Sequence, residues 1–447
     1  MMWIATWLTS FGILGAPTAD QLIALEVGRV ITVSGEDLEN VTILVEAGRI
    51  REVGKGIDVP ASARVFRMPG AVAMPGLVYC HSTAGMRVPN ERMADVPFID
   101  VRDGIDPSSP GLENALRDGV TTVHVMPANV TRFGGQGAVI RPHGSLVDEM
   151  VVKAPSALKL SLSPPYSETR MSNMASLRKA FYSLYERMRA LQTQGEDPQP
   201  LAGKPDAEPT LESLLRMKPA WNEILWDKIP RDKIAERDRP LVDLVRGKLP
   251  VFIYCSQASD VFKAFELIDT NGLKATLVLG SDAWKVKDVL AARKGLGSVV
   301  LSPTLEVWET DSESGREKRH LTPLLLHRAG VRFALQVVED RRSNRGPTFS
   351  RRGEYRLWYQ AAMLVKYGVP RREALRSITL TPAEIIGLEH RLGSIEKGKD
   401  ANIAVFSGDP LDARSWVELV LVEGEVVYRK SEDKDLELLL KATHRKF

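Results

Sequence analysis

Eight short apolar segments, separated by helix-patterned stretches, constrain this chain more than any other feature. They are Leu77–His81, Val120–Met126, Ala138–Arg141, Ala157–Ser163, Val251–Ser256, Ala275–Gly280, Ser298–Ser302 and Val331–Val338. Most are uninterrupted apolar runs, the pattern of strands covered on both faces by helices. Helix signals fall between them. Ser109-Pro110 opens a helix that Gly119 closes, and Asp260 to Asp269 spaces Val261, Phe262, Phe265 and Ile268 along one face. Pro370 opens another, and Thr381-Pro382 begins one that Gly387 ends. Strands alternating with helices read as βα units of a parallel sheet, and eight units close most readily into a (β/α)8 barrel.

The two ends of the chain are patterned differently. From Ile23 to about Met74, and again from Gly393 to Tyr428, β-branched residues recur at period two with Gly turns between them. Neither set has enough strands to bury a core alone. The expected fold class is therefore α/β, a TIM-type (β/α)8 barrel plus a small β-sandwich formed from both chain ends. Residues 20–75 with 393–432 make the composite sandwich and 76–392 the barrel. One stretch, about 166–246, breaks the rhythm with polar-faced helices and the tract GEDPQPLAGKPDAEP from Gly195. It reads as an insertion after the fourth strand.

The 447 residues suit a barrel with an accessory module. With 60 basic and 57 acidic residues the net charge is +3, which gives no electrostatic ground for nucleic acid as a partner. The two cysteines, Cys80 and Cys255, make no disulfide framework and read as small core residues. Met1 to Ala16 is apolar and uncharged, too short to span a bilayer, and followed by small residues. It resembles the core of a secretory signal peptide, although no Lys or Arg precedes it. Residues 1–19 are thus expected to direct export to the periplasm or the extracellular space; an apolar arm packed on the body is the alternative.

The segment Met74-Pro-Gly-Leu-Val-Tyr-Cys-His81-Ser-Thr83 resembles the entry to the first barrel strand of the amidohydrolase superfamily, which reads PG-(apolar)2-D-x-H-x-H. Other segments are similar to the imidazolonepropionase-like branch: Asp118-Gly-Val-Thr-Thr-Val-His-Val-Met126, Gly134-Gly-Gln-Gly-Ala-Val-Ile140, Gly330-Val-Arg-Phe-Ala-Leu-Gln336 and Gly393-Ser-Ile-Glu-Lys-Gly-Lys-Asp-Ala-Asn402. The resemblance implies metal-dependent hydrolysis of C–N bonds in cyclic amides or dipeptides. Zinc or another divalent ion would sit at the C-terminal strand ends, held by imidazoles and carboxylates, lowering the pKa of a bound water. An Asp after the last strand would handle the proton.

Residue by residue, the ligands implied by that resemblance are depleted. His81 is present, but the second histidine of the pair is Thr83 and the preceding acid is Tyr79. The fourth-strand position, a lysine or glutamate in the family, falls in Leu160-Ser-Leu-Ser-Pro164. The fifth-strand His-x-His is Tyr254-Cys255-Ser256, the sixth-strand histidine is Leu279, and the eighth-strand Asp is Val338. Of seven histidines, His81 alone falls at an expected ligand position. One imidazole makes a poor metal site, so no cofactor is expected.

The first functional expectation is thus a non-catalytic scaffold, a partner subunit paired with itself or an active homologue, or a binder of a small molecule. The alternative is an active hydrolase with a single-metal site rebuilt around His81, with Glu339, Asp340 or His143 nearby. Arg341, Arg342 and Gln136 are ligand-binding candidates at the barrel's active end. The loop Gly134-Gly-Gln-Gly137 offers backbone donors to an anion, or simply shapes the turn. A nucleophile at Cys255, Ser256 or Ser302 with His81 as base would lack an orienting third group.

Overall fold

The computed structural model describes residues 22–89, 91–165, 168–193, 219–337, 356–434 and 436–438. Residues 1–19, the tract from Gly195, and Val338, Glu339, Asp340, Arg341 and Arg342 lie outside the described residues.

Four strands open the described chain: β1 (Ile23–Val30), β2 (Leu38–Glu46), β3 (Arg49–Gly54) and β4 (Arg64–Pro75). The middle holds β5 (Leu77–Ser82), β6 (Val120–Val125), β7 (Phe133–Gln136), β8 (Ala138–Ile140), β9 (Val151–Lys153) and β10 (Leu158–Ser161). It continues with β11 (Val251–Cys255), β12 (Ala275–Leu279), β13 (Val299–Val300), β14 (Glu306–Thr310), β15 (Glu317–Leu321) and β16 (Phe333–Ala334). Three strands close the chain: β17 (Ile403–Phe406), β18 (Val417–Val422) and β19 (Glu425–Arg429).

The two ends do meet. They join in one seven-stranded sheet, ordered β19-β18-β17-β4-β1-β2-β3, with β4 and β17 pairing antiparallel across the seam. The hydrogen-bond ladder thus runs unbroken through the strands of both chain ends. Alternation along β1 and β2 puts Ile23, Leu25, Val27, Ile43 and Val45 into a core shared with Ile403, Val405, Leu419 and Leu421.

Every one of the eight expected middle strands is present, as β5, β6, β8, β10, β11, β12, β13 and β16. They form two sheets, β5-β6-β8-β9 and β16-β13-β12-β11-β10-β7, and no continuous ladder closes them into a ring among the described residues. From β10 to β16 neighbours along the series β10, β11, β12, β13, β16 are parallel, as are β5 and β6. The third strand departs from the expected pattern: β8 runs antiparallel to β6. The short strand that precedes it, β7, also runs antiparallel, to β10 in the other sheet. Two junctions tie the sheets together. Gly137 and Ala157 share a backbone bond of 2.8 Å on one side. On the other, Leu335 N donates to Ser377 O and Val78 N to Ile378 O, both at 3.0 Å, so the turn before helix Leu380–Ile386 spans the gap between β16 and β5.

Inward side chains from all these strands gather in one buried cluster: Val78, Cys80, Met126, Val139, Ala157, Phe252, Val278, Val300 and Ala334. A larger cluster lies between the strands and the helices outside them. The insertion contributes helix Arg170–Gln192, a series of single turns from Trp221 to Asp238, and helix Arg239–Val245. No helix among the described residues is long and apolar enough to cross a membrane.

Candidate functional site

Strand alternation decides what faces the enclosed cluster. In β10, Leu158 and Leu160 point outward into the helix-covered core, so Lys159 shares the inner face with Ala157. In β6, Val123 and Val125 point outward and His124 inward. Phe252 of β11 also points inward, between the two imidazoles. Its ring centroid is 6.2 Å from that of His81, nearly parallel, and 4.9 Å from that of His124, edge-on.

His81 at the end of β5 is 4% exposed and Lys159 is wholly buried. Lys159 Nζ lies 2.8 Å from His81 Nε2, and His81 Nδ1 lies 2.9 Å from Gln336 Oε1. An amide oxygen only accepts, so Nδ1 carries the imidazole proton and Nε2 presents its lone pair to the lysine. Gln336 follows β16 and is itself placed by Gln360, whose Nε2 donates to the Gln336 carbonyl at 3.0 Å. Lys159 Nζ also sits 5.4 Å from the Tyr254 ring centroid. The order Lys159–His81–Gln336 thus links β10, β5 and β16 across the sheet junction.

Burial sets the electrostatics. Desolvation pushes Lys159 down to about 7. Desolvation, and then the neighbouring Lys159, hold His81 well below the usual imidazole range. Desolvation brings His124 down to about 4. His124 is satisfied in its neutral form: Nδ1 donates to Cys80 O and Nε2 accepts from Ser156 Oγ, each at 2.8 Å. It reads as a structural tie.

The other expected ligand positions are put to other uses. The Thr83 carbonyl accepts from Met86 N at 3.0 Å in the turn after β5. Ser256 Oγ accepts from Arg170 Nη2 at 2.9 Å and donates to Asp260 Oδ2 at 3.2 Å. Arg170, the first residue of the insertion's long helix, also pairs with Asp260. The insertion therefore seals the end of β11. Leu279 is buried hydrocarbon. Asp282, three residues on, accepts from Ala258 N at 3.0 Å and so holds the start of the neighbouring helix. Pro164 lies past β10, half-buried in the loop. The neighbouring loops are clamped by Arg132, which bonds Asp95 Oδ1 at 2.8 Å and Glu168 Oε2 at 2.9 Å.

Several other candidates separate from His81. His143 lies 3.8 Å from Glu425 of β19. Gln136 has its backbone in the β7–β10 ladder. The Gly134–Gly137 loop is shaped by close packing. Gly135 has φ +98°, and a Cβ on it would lie 2.5 Å from Ile99 Cγ1, while one on Gly137 would lie 2.1 Å from Met126 Sδ. Burial pushes the Cys255 thiol far up, away from the nucleophilic thiolate. Ser302 Oγ accepts from Thr304 N in a turn. Among the described residues, no group of three or more His, Cys, Asp and Glu side chains converges as a metal site would.

Lys159 is the residue that the sequence reading missed. The expected fourth-strand position runs toward Pro164, past the strand's end, whereas the lysine lies inside the strand. Period two along Ala157-Leu158-Lys159-Leu160-Ser161 was the available signal. It puts the one polar residue between the two leucines on the inner face.

The amidohydrolase family profile matches residues 359–428. Amidohydrolase tasK of Hapsidospora irregularis is 40% identical over 14% of this chain and 7% of its own length. Imidazolonepropionase of Vibrio cholerae is 33% identical over 19% of this chain and 27% of its own. The matches thus span a small part of these curated relatives. A solved amidohydrolase from Thermotoga maritima MSB8 superimposes over 91% of this chain and 100% of its own, with TM-score 0.72 and 27% identity. Together with the strand order and the inward cluster, these similarities support an amidohydrolase superfamily, imidazolonepropionase-like member.

Proposed function

We propose that this chain is a metal-free amidohydrolase-type barrel that works as a binding protein or partner subunit. In this reading the eight inward-packed strands are the staves of a (β/α)8 barrel over 76–392, and the sheet built from 20–75 and 393–432 is its composite accessory domain. The observation that carries the reading is the bond from Lys159 Nζ to His81 Nε2. A divalent ion needs several converging lone pairs. Here the one imidazole at a ligand position gives its lone pair to an amine, and a cation beside that amine would meet like charge. The donors among the described residues therefore fit a divalent ion poorly.

The competing reading, a hydrolase with a single-metal site rebuilt on His81, requires that same lone pair as a ligand. The family's hydrolysis of C–N bonds comes to this chain only if Lys159 gives way. The apolar segment of residues 1–19 is the ground on which export is proposed.

Elemental analysis after incubation with zinc and manganese tests the reading. Purified protein is expected to hold well under one ion per chain after desalting. About one tightly held ion per chain, lost in His81→Ala, would overturn it.

A further inference from the structure

The cations gathered at these strand ends are matched unequally. Arg132 has the carboxylates of Asp95 and Glu168, and Arg170 has that of Asp260. Lys159, the most deeply buried of the three, has no carboxylate partner among the described residues. It meets the His81 lone pair and the Tyr254 ring face. An ammonium carries three N–H donors, and one imidazole lone pair with one ring face leaves donor capacity unused. His81 cannot supply the missing charge. Gln336 fixes its proton on Nδ1, so it meets Lys159 as a neutral acceptor. A buried cation without a counter-ion is costly, and a ligand that brings the counter-ion relieves that cost.

Resting on the metal-free reading above, we propose that Lys159 and His81 form a binding site for a small monoanionic carboxylate. A single resident cation matches a single negative charge. A phosphate dianion would bring a second charge with no second cation beside Lys159 and His81 among the described residues to pair it. The nearby inward residues Ala157, Phe252 and Val278 are apolar, which suits a carboxylate on a short hydrocarbon body.

The experiment is thermal unfolding of the full chain, freed of metal by chelation, in acetate against chloride at equal ionic strength, with inorganic phosphate as a third arm. Acetate is expected to raise the wild-type Tm saturably by about 3 °C. Phosphate and chloride are expected to give no saturable rise. Lys159→Met should lose the acetate response. Lys159→Gln should lose it too, while keeping a donor to His81 Nε2, and serves if the methionine variant does not fold. Arg170→Met, whose charge is already matched by Asp260, should keep it. A wild type indifferent to acetate, an undiminished response in the Lys159 variants, or a stronger response to phosphate would each overturn the inference. Metal content of the same samples separates the two claims. Stoichiometric metal would sink the metal-free reading, whereas metal-free protein that ignores acetate would sink only the carboxylate site.

Discussion

Lys159→Met is expected to gain stability over the wild type most at low pH, and that gain should shrink by about 4 kcal/mol between about pH 6 and about pH 10. The reasoning is linkage. Lysine in the unfolded chain titrates near about 10.4, whereas burial brings Lys159 down to about 7 in the folded protein. Between those values the unfolded state binds more protons, so wild-type stability rises with pH across that window. Below about 7 both states are charged, and the folded protein carries the full cost of a desolvated ammonium. Methionine fills similar volume without charge and removes the slope. It also leaves His81 Nε2 without a donor, at a cost of about 1–3 kcal/mol. That cost is constant across the window, because His81 stays neutral throughout it. Urea unfolding of both proteins, in chloride, at several pH values measures the difference. A wild-type-to-mutant gap that does not vary with pH would mean that Lys159 is hydrated or paired.

The strand inventory was legible because it rests on composition alone. Runs such as Val251–Cys255 and Val120–Val125 are buried along nearly their whole length, and such runs stand out without knowledge of their partners. The direction of a strand is not written in its residues. Ala138–Ile140 has the same apolar character as its neighbours and still runs antiparallel, because the connection from β6 carries the short strand β7 and no crossover helix. The pairing of the chain ends followed from a shortage of strands at each end, but their union in one sheet depended on the seam between β4 and β17. At the site, the residues that are missing were easier to see than the residue that replaces them. Thr83, Ser256 and Leu279 could be checked against a motif. Lys159 escaped a motif check because it lies inside β10, on its inner face, rather than past the strand's end. Likewise, nothing local in the sequence shows that Arg170 of the insertion would reach Ser256, 86 residues away. The acids Glu339 and Asp340 and the arginines Arg341 and Arg342 lie outside the described residues.

Phe252→Ala is expected to cost about 4 kcal/mol at neutral pH, and less in acid. Phe252 is among the largest fully buried side chains, so its removal loses both its transfer from water and the packing around it. In acid, part of that loss is offset electrostatically. The ring lies against His81 and His124, and burial among such groups holds both imidazoles neutral. A space opened beside two imidazoles and an amine has polar partners enough to admit water. Hydration would let His124 move from about 4 back toward the usual imidazole range. In the wild type, stability falls as pH drops from about 6.5 through the folded value of His124, because the unfolded chain takes up the proton first. In Phe252→Ala that fall should be shallower, so the deficit relative to wild type narrows between about pH 7 and about pH 4.5. Denaturant unfolding across that range, with imidazole C–H resonances followed by NMR, reads both effects. A large deficit that is the same at every pH would assign Phe252 to packing alone. It would then be the strand backbones, rather than the aromatic wall, that keep water from the Lys159–His81 pair.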